Sequence, residues 1–110
     1  MRIICLVVLA SLSQFAFGGD SFETCRSKLM QAQKLDVLYD LDWKSGRVEP
    51  RVVVGPTFMT MTIDAKEGFA ETVNCFLMAG EAGKCVNFNL LHWQSGKPVG
   101  AFRNCRYRPR

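Results

Sequence analysis

The residues best suited to acid–base chemistry are one histidine, His92, and three aspartates, Asp36, Asp40 and Asp42. A histidine can act as a general base near neutral pH, and paired carboxylates can hydrolyse glycosides or bind calcium. His92 has no identifiable orienting partner, and the sequence contains no calcium loop of the Asp-x-Asp-x-Asp-Gly type. We therefore interpret the aspartates as a solvated strand face and His92 as structural. A small hydrolase that uses these four residues is kept as an alternative.

Nucleophilic catalysis by serine or cysteine is not predicted. Ser45 and Ser95 lie in Trp-x-Ser-Gly segments, where serine is a common turn residue, and no Gly-x-Ser-x-Gly segment occurs. Zinc sites usually contain a pair of cysteines separated by about two to four residues. The nearest two here, Cys75 and Cys85, are ten positions apart. The segment Gly80–Lys84 also lacks the spacing of a phosphate-binding loop, so the sequence predicts no metal ion and no cofactor.

Two features of the sequence are suited to binding. The C-terminal segment 103–110 contains four arginines around one tyrosine, and the arginine fork fits phosphate, sulfate or carboxylate groups. Two predicted hairpin tips contain tryptophan, a frequent anchor of protein interfaces. The candidate binding residues are Trp43, Lys44, Trp93, Arg103, Arg106, Tyr107, Arg108 and Arg110. The alternatives are a basic tail that only aids solubility and tryptophans that cover the ends of a sheet.

Residues 1–18 have the layout of a secretory signal peptide. Arg2 precedes an apolar run from Ile3 to Leu12, and small residues, Ala16 and Gly18, stand at a suitable distance before a cut. We predict cleavage after Gly18, which leaves residues 19–110 as one secreted or periplasmic domain. Retention of the segment as a membrane anchor is the alternative. No later segment is apolar enough to be predicted as a membrane span.

Cleavage of the leader would change the cysteine count from five to four. Cys5 would leave with the leader, and the remaining four cysteines would pair in an oxidising compartment. Pairing Cys75 with Cys85 closes the shortest loop, which costs the least entropy, and leaves Cys25 to pair with Cys105. We prefer this connectivity to the rival one, in which Cys25 pairs with Cys75 and Cys85 with Cys105.

The first half of the mature chain is predicted to form a helix followed by three strands. Apolar spacing indicates a helix that ends near Lys34, with Asp20 as its N-cap. Alternation then indicates a hairpin built from Val37–Trp43 and Arg47–Val54, and a third strand over Thr57–Ile63.

The second half is predicted to form a helix and a second hairpin. The helix begins at Asp64 and is stopped near Gly80. The strands are Cys85–Trp93 and Lys97–Cys105, with Phe88 opposite Phe102. The order α-β-β-β-α-β-β predicts an α+β fold. We expect a small antiparallel sheet of two hairpins plus one strand, with two helices on one face and two disulfides.

The two hairpin tips resemble each other in sequence. Leu41–Arg47 matches Leu91–Lys97 at an offset of 50 residues, and Cys25 and Cys75 share that offset. The two predicted helix caps, however, are offset by 44 residues. The sequence therefore leaves open whether the chain is an internal duplication.

The charge of the mature chain is mildly basic. Loss of Arg2 leaves 13 basic against 10 acidic residues, a net charge of +3, which does not predict nucleic-acid binding. We predict a non-enzymatic binding protein, comparable in build to small secreted inhibitors, whose partner is a protein or an anionic polymer outside the cytoplasm. The alternatives are the small hydrolase and a cationic protein that acts on anionic cell-surface polymers or membranes.

Overall fold

The computed structural model describes residues 21–43, 49–81 and 83–110. The predicted leader, the Asp20 cap and the first hairpin turn, which includes Lys44, lie outside the described residues. The helices are α1 (Phe22–Lys34), α2 (Pro56–Thr60) and α3 (Ile63–Leu77). The strands are β1 (Leu38–Asp42), β2 (Arg51–Val54), β3 (Phe88–His92), β4 (Pro98–Arg103) and β5 (Arg106–Pro109).

The strands form one five-stranded sheet in the order β1-β2-β3-β4-β5. All neighbours are antiparallel except β2 and β3, which are parallel. Phe88 pairs with Phe102 as predicted, and their rings stack at a centroid distance of 5.3 Å. A bulge then shifts the register, so that Pro98 lies opposite Leu91 instead of His92. The predicted α+β fold is confirmed, with a mixed instead of a purely antiparallel sheet.

The two long helices begin at side-chain caps one or two residues away from the predicted ones. The Ser21 hydroxyl accepts a hydrogen bond from the Thr24 N–H at 3.2 Å, at the start of α1. The Thr62 hydroxyl accepts from the Ala65 N–H at 3.2 Å, so α3 starts before Asp64. Each cap satisfies one backbone N–H that would otherwise have no intrahelical partner.

The predicted strand over Thr57–Ile63 is wrong, because this segment contains the short helix α2 and the start of α3. Pro56 stands at the first turn of α2, where its fixed φ favours a helix and its missing N–H is not needed. Phe58 is fully buried and anchors this turn in the core. Met59 and Ile63 are 41% and 55% exposed, so the alternating pattern did not mark a buried strand face.

A single apolar core lies between the helices and one face of the sheet. Leu29 of α1, Phe58 of α2 and Val73 of α3 all belong to it. The sheet contributes Leu38, Val52, Val54, Phe88, Leu90, Phe102 and Tyr107. The predicted placement of the helices on one face is therefore confirmed. Within the described ranges, no helix has both the length and the apolar character needed to cross a membrane.

The preferred disulfide connectivity is wrong, and the rival connectivity is present. Cys25 pairs with Cys75, which joins α1 to α3. Cys85 pairs with Cys105, which joins the segment before β3 to the β4–β5 turn. The length of the closed loop does not decide the pairing, because helix packing brings Cys25 and Cys75 to a Cα separation of 6.1 Å within one layer. Two disulfides fit an extracellular protein.

Candidate functional site

The face of the sheet opposite the helices carries three of the predicted binding residues, Arg103, Arg106 and Arg108. Opposed residues of paired strands share a face, so the register defines what we call the open face. Its residues are Asp40, Asp42, Arg51, Val53, Asn89, Leu91, Ala101, Arg103, Arg106 and Arg108. The described helices direct their buried residues into the core on the other side of the sheet.

The predicted basic tail includes an edge strand. Arg106 and Arg108 project from β5 on the open face, and Arg110 continues the same two-residue spacing just beyond the strand. Alternate residues of a strand lie about 7 Å apart, so these three exposed guanidinium groups form a regular row. We call this row the basic edge. Among the described residues, no ion pair involves Arg106, Arg108 or Arg110.

Arg103 is adjacent to the basic edge but is held by other side chains. Its guanidinium group donates to both carboxylate oxygens of Glu49, at 2.6 and 3.2 Å, and to Asn89 Oδ1 at 2.9 Å. The hydrogen bond to Glu49 raises the pKa of the Arg103 side chain. Arg103 also lies directly opposite Arg106, an arrangement of like charges that destabilises a strand pair. Glu49 therefore neutralises one member of this pair, and Arg106 stays available to an outside anion.

Sequence reasoning missed Glu49 and Asn89. Asn89 lies two positions before Leu91, so the alternating pattern of this strand already predicted that the two share a face of the sheet. Glu49 gave no such signal, because it reaches Arg103 only after β2, β3 and β4 have paired side by side.

Tyr107 does not belong to the binding surface. It points into the core and is 7% exposed, because neighbouring residues of a strand face opposite sides of the sheet. Its ring covers Gly100, where an added Cβ would lie 3.0 Å from the tyrosine hydroxyl oxygen. Tyr107, which the sequence offered as a candidate binding residue, is therefore a core residue in the structure.

Replacing Tyr107 by phenylalanine is expected to leave the free energy of unfolding at pH 7 unchanged or to raise it by up to about 1 kcal/mol. The buried hydroxyl has no hydrogen-bond partner among the described residues, so its loss breaks no contact there. Burial also raises the pKa of this hydroxyl above its usual value.

The same substitution gives a pH signature. An unfolded tyrosine loses its proton near pH 10, and the folded Tyr107 does so at higher pH. The stability that comes from the retained proton of Tyr107 is therefore present below about pH 10. It is lost as the pH rises through the folded-state pKa. Urea denaturation between pH 8 and pH 11 should show that the free energy of unfolding falls more steeply with pH in the wild type than in Tyr107→Phe. Parallel curves would contradict a buried, neutral hydroxyl.

The residues of the hydrolase alternative do not converge. Asp40 and Asp42 lie on the open face of β1. His92 is in register with Val54 and therefore shares the opposite, helix-covered side. Asp42 is in register with Arg51, and the three residue steps from Arg51 to Val54 span about 10 Å of strand. Asp36 lies in the connection between α1 and β1, with a positive φ of 60°.

His92 organises the β3–β4 turn. Its Nδ1 accepts hydrogen bonds from the backbone N–H groups of Gln94 and Ser95 at 3.1 and 3.2 Å. Its ring stacks on Trp93 at a centroid distance of 4.0 Å. Because Nδ1 accepts both bonds, the ring proton of the neutral form belongs on Nε2. These contacts give His92 a structural role in the turn.

The two tryptophans do not form one patch. Trp43 follows β1, at the end of the sheet where Asp42 pairs with Arg51. Trp93 follows β3, at the end where His92 pairs with Val54. Because β3 is antiparallel to β1, the two tips lie at opposite ends of the sheet. Lys44, the third residue predicted at the tips, lies outside the described residues.

In the described ranges, no group of three or more histidine, cysteine, aspartate or glutamate side chains could hold a metal ion. The chain matches no protein-family model, no curated protein and no solved structure. The basic edge and the open face around it are the candidate site, because they bring exposed arginines together in one row.

Proposed function

We propose that this protein is a secreted or periplasmic, non-enzymatic binding protein. Its contact surface is the open face, and the basic edge recognises acidic groups on a macromolecular partner. The observation that carries the proposal is the row Arg106, Arg108 and Arg110, which is exposed on one edge and without an ion pair among the described residues. Charge-assisted hydrogen bonds from arginine forks to carboxylate, sulfate or phosphate are among the stronger polar contacts.

The frame around the basic edge supports this proposal. The Cys85–Cys105 disulfide anchors the β4–β5 turn to the segment that leads into β3. Tyr107, between two of the arginines, is packed in the core. Both contacts limit the movement of β5, so that little conformational entropy is lost when a ligand is bound.

The membrane alternative receives less support from the surface. Several large apolar side chains are exposed, and the most exposed on the helical layer are Met30, Leu35 and Ile63. Tyr39 and Trp43 are also exposed. Tyr39 lies on the edge strand β1, which carries Asp40 and Asp42, and Trp43 directly follows this strand. A membrane-binding surface combines basic and apolar groups on one side. Here the basic edge lies four strands away from β1 and on the side of the sheet opposite the helices.

Removing two charges from the basic edge should weaken binding to acidic ligands by about tenfold or more, since each charge-assisted hydrogen bond contributes about 1.5–3 kcal/mol. The variant is Arg106→Gln with Arg108→Gln. The measurement is the Kd for poly-glutamate and for a sulfated polysaccharide, which separates carboxylate from sulfate recognition.

The matched control removes the same charge from the helical layer. Arg26→Gln with Lys34→Gln changes two exposed basic residues of α1 and leaves the open face intact. Equal weakening in the two double variants would mean that only net charge matters and would overturn the proposal. Unchanged binding in the Arg106/Arg108 variant would do the same.

A further inference from the structure

The outer side of β5 is a free strand edge. In the part of the chain that the structure describes, β5 is the last strand of the sheet and pairs only with β4. An edge strand presents backbone N–H and C=O groups to which another strand can bind. Addition of an extended peptide to such an edge is a recurring mode of recognition, in which backbone hydrogen bonds provide affinity and side chains provide specificity.

The turn between β4 and β5 determines which backbone groups of β5 point outwards. Asn104 and Cys105 form a two-residue turn, and both have a positive φ, at 53° and 65°. The residues that flank such a turn, Arg103 and Arg106, exchange both of their backbone hydrogen bonds. Bonded and non-bonded pairs alternate along an antiparallel ladder, so the N–H and C=O groups of Tyr107 point away from β4 and towards the free edge.

Pro109 limits how far another strand can pair with this edge. By the same alternation, residue 109 is the next one whose N–H would point outwards, and proline has no N–H. The edge therefore offers one complete donor and acceptor pair, at Tyr107. Arg106 and Arg108 stand on either side of it, exposed on the open face. Charged residues and proline protect an edge against indiscriminate pairing, so only a strand with complementary charges fits here.

We propose that the acidic partner is an extended peptide segment that adds to β5 as a further, antiparallel strand. The inference rests on the proposed function, because it names the kind of molecule that carries the acidic groups. The middle residue of the segment exchanges two backbone hydrogen bonds with Tyr107. The residues before and after it lie opposite Arg108 and Arg106, and both are aspartate or glutamate. The recognised pattern is therefore acidic-x-acidic.

The register favours an ion pair at each flanking position. Because the pair at Tyr107 is hydrogen-bonded, the pairs at Arg106 and Arg108 are of the closer, non-hydrogen-bonded kind, with Cα atoms about 4.5 Å apart. Acidic residues at alternate positions of a strand share one face and lie about 7 Å apart, which is also the spacing of the two arginines. Each acidic side chain therefore meets one guanidinium group, and opposite charges in such cross-strand pairs are stabilising.

The charges on the inner side of β5 add to this selectivity. Arg103 lies opposite Arg106 on β4, and Glu49 neutralises Arg103. An acidic residue on the outer side of Arg106 continues the alternation of positive and negative groups across the sheet. A basic residue at the same position would restore the repulsion that Glu49 removes.

The turn that precedes β5 is held in place at both of its residues. Cys105 is bonded to Cys85, and the Asn104 N–H donates a hydrogen bond to Asn87 Oδ1 at 3.1 Å. The edge is therefore ordered before a peptide arrives, and most of the entropy lost on binding belongs to the peptide.

The first test compares two peptides of the same composition. The alternating peptide is Thr-Val-Glu-Thr-Glu-Val-Thr, and the control peptide is Thr-Val-Glu-Glu-Thr-Val-Thr, both with blocked termini. Adjacent residues of a strand face opposite sides, so only one glutamate of the control can meet an arginine. Isothermal titration calorimetry with the oxidised protein should give a Kd that is lower by about fivefold or more for the alternating peptide. Equal affinity for the two peptides overturns the inference.

The second test removes one backbone hydrogen bond and leaves every charge in place. N-methylation of the middle threonine of the alternating peptide removes the N–H that donates to the Tyr107 C=O. The Kd should rise by about fivefold or more. N-methylation of the second glutamate is the control, because that N–H points away from β5. An equal effect of the two methyl groups would show that binding does not use the strand edge.

Hydrogen exchange measured by NMR reads the same contact in the protein. The Tyr107 N–H should exchange more slowly by about tenfold or more when the alternating peptide is bound, because it gains a hydrogen bond. The N–H groups of Arg106 and Arg108 already point towards β4 and should change less. A sulfated polysaccharide, held by side chains alone, should leave exchange at Tyr107 unchanged. Peptide binding without protection of the Tyr107 N–H overturns the inference.

The outcomes also separate this inference from the proposed function. Arg106→Gln with Arg108→Gln can abolish the binding of acidic peptides and polymers while the parent protein neither prefers the alternating peptide nor protects the Tyr107 N–H. That result overturns strand addition alone. Protection of the Tyr107 N–H that persists undiminished in the double variant overturns the recognition of acidic groups, and with it the proposed function.

Discussion

Replacing Cys25 and Cys75 together by alanine is expected to lower the free energy of unfolding by about 4 kcal/mol, the value that the chain-entropy relation gives for a loop of this length. The disulfide joins residues 50 positions apart and links α1 to α3 across the helical layer. Without it, the unfolded chain gains the freedom that the closed loop had removed. A loss of this size is a large fraction of the stability of a domain this small.

Urea denaturation of the oxidised protein measures this change. The control is Cys85→Ala with Cys105→Ala, which opens a loop of 20 residues and should cost about 3 kcal/mol by the same relation. Peptide mapping under non-reducing conditions should recover Cys25 linked to Cys75 in the parent protein. A larger loss on removing the Cys85–Cys105 bond than on removing Cys25–Cys75 would contradict the assignment of stability to loop length.

Replacing Gly55 by alanine is expected to destabilise the protein by about 3 kcal/mol or more, because no space exists for the added methyl group. A Cβ at this position would lie far inside van der Waals contact with the backbone carbonyl oxygen of Asp36. That oxygen cannot move freely, since it accepts a hydrogen bond from the Thr57 N–H at 3.1 Å. The Gly55 N–H in turn donates to the Val37 carbonyl at 2.9 Å.

A second glycine provides the matched control for this prediction. Gly68 lies in the interior of α3, is exposed, and has no atom within 4 Å of the position that a Cβ would take. Gly68→Ala should therefore raise the free energy of unfolding by about 0.5–1 kcal/mol, because alanine has the higher helix propensity. Thermal and urea denaturation of the two variants should give shifts of opposite sign. A fall in stability of similar size in both would contradict the close approach at Gly55.

Local patterns were sufficient for the long helices and for the second hairpin. The apolar spacing that predicted a helix ending near Lys34 agrees with the end of α1. The predicted pairing of Phe88 with Phe102 is confirmed, because a short turn sets the register of neighbouring strands. The segment after Gly55 was misjudged, because its alternating apolar residues are partly exposed and its proline starts a helix.

The similarity of the two hairpin tips did not translate into similar halves. β1 and β3 run in opposite directions, although both hairpins advance the same way across the sheet and both long helices cover the same face. To superimpose the first half on the second, a rotation would have to reverse the strand direction and keep the helices on the same face. Such a rotation also reverses the order of the strands across the sheet, and the two hairpins have the same order. The described halves are therefore arranged as mirror images in topology and do not superimpose.

The sequence by itself determined the secondary elements that depend on neighbours along the chain, the α+β class, and the presence of enough cysteines for two disulfides. Only the tertiary structure decided the connectivity of those disulfides, the inward direction of Tyr107 and the ion pair of Arg103 with Glu49. Each of these depends on strands or helices that are distant in sequence and adjacent in space. The parallel pairing of β2 with β3 is the decisive case, because it separates the two tryptophans and sets the acidic and basic edges on one open face.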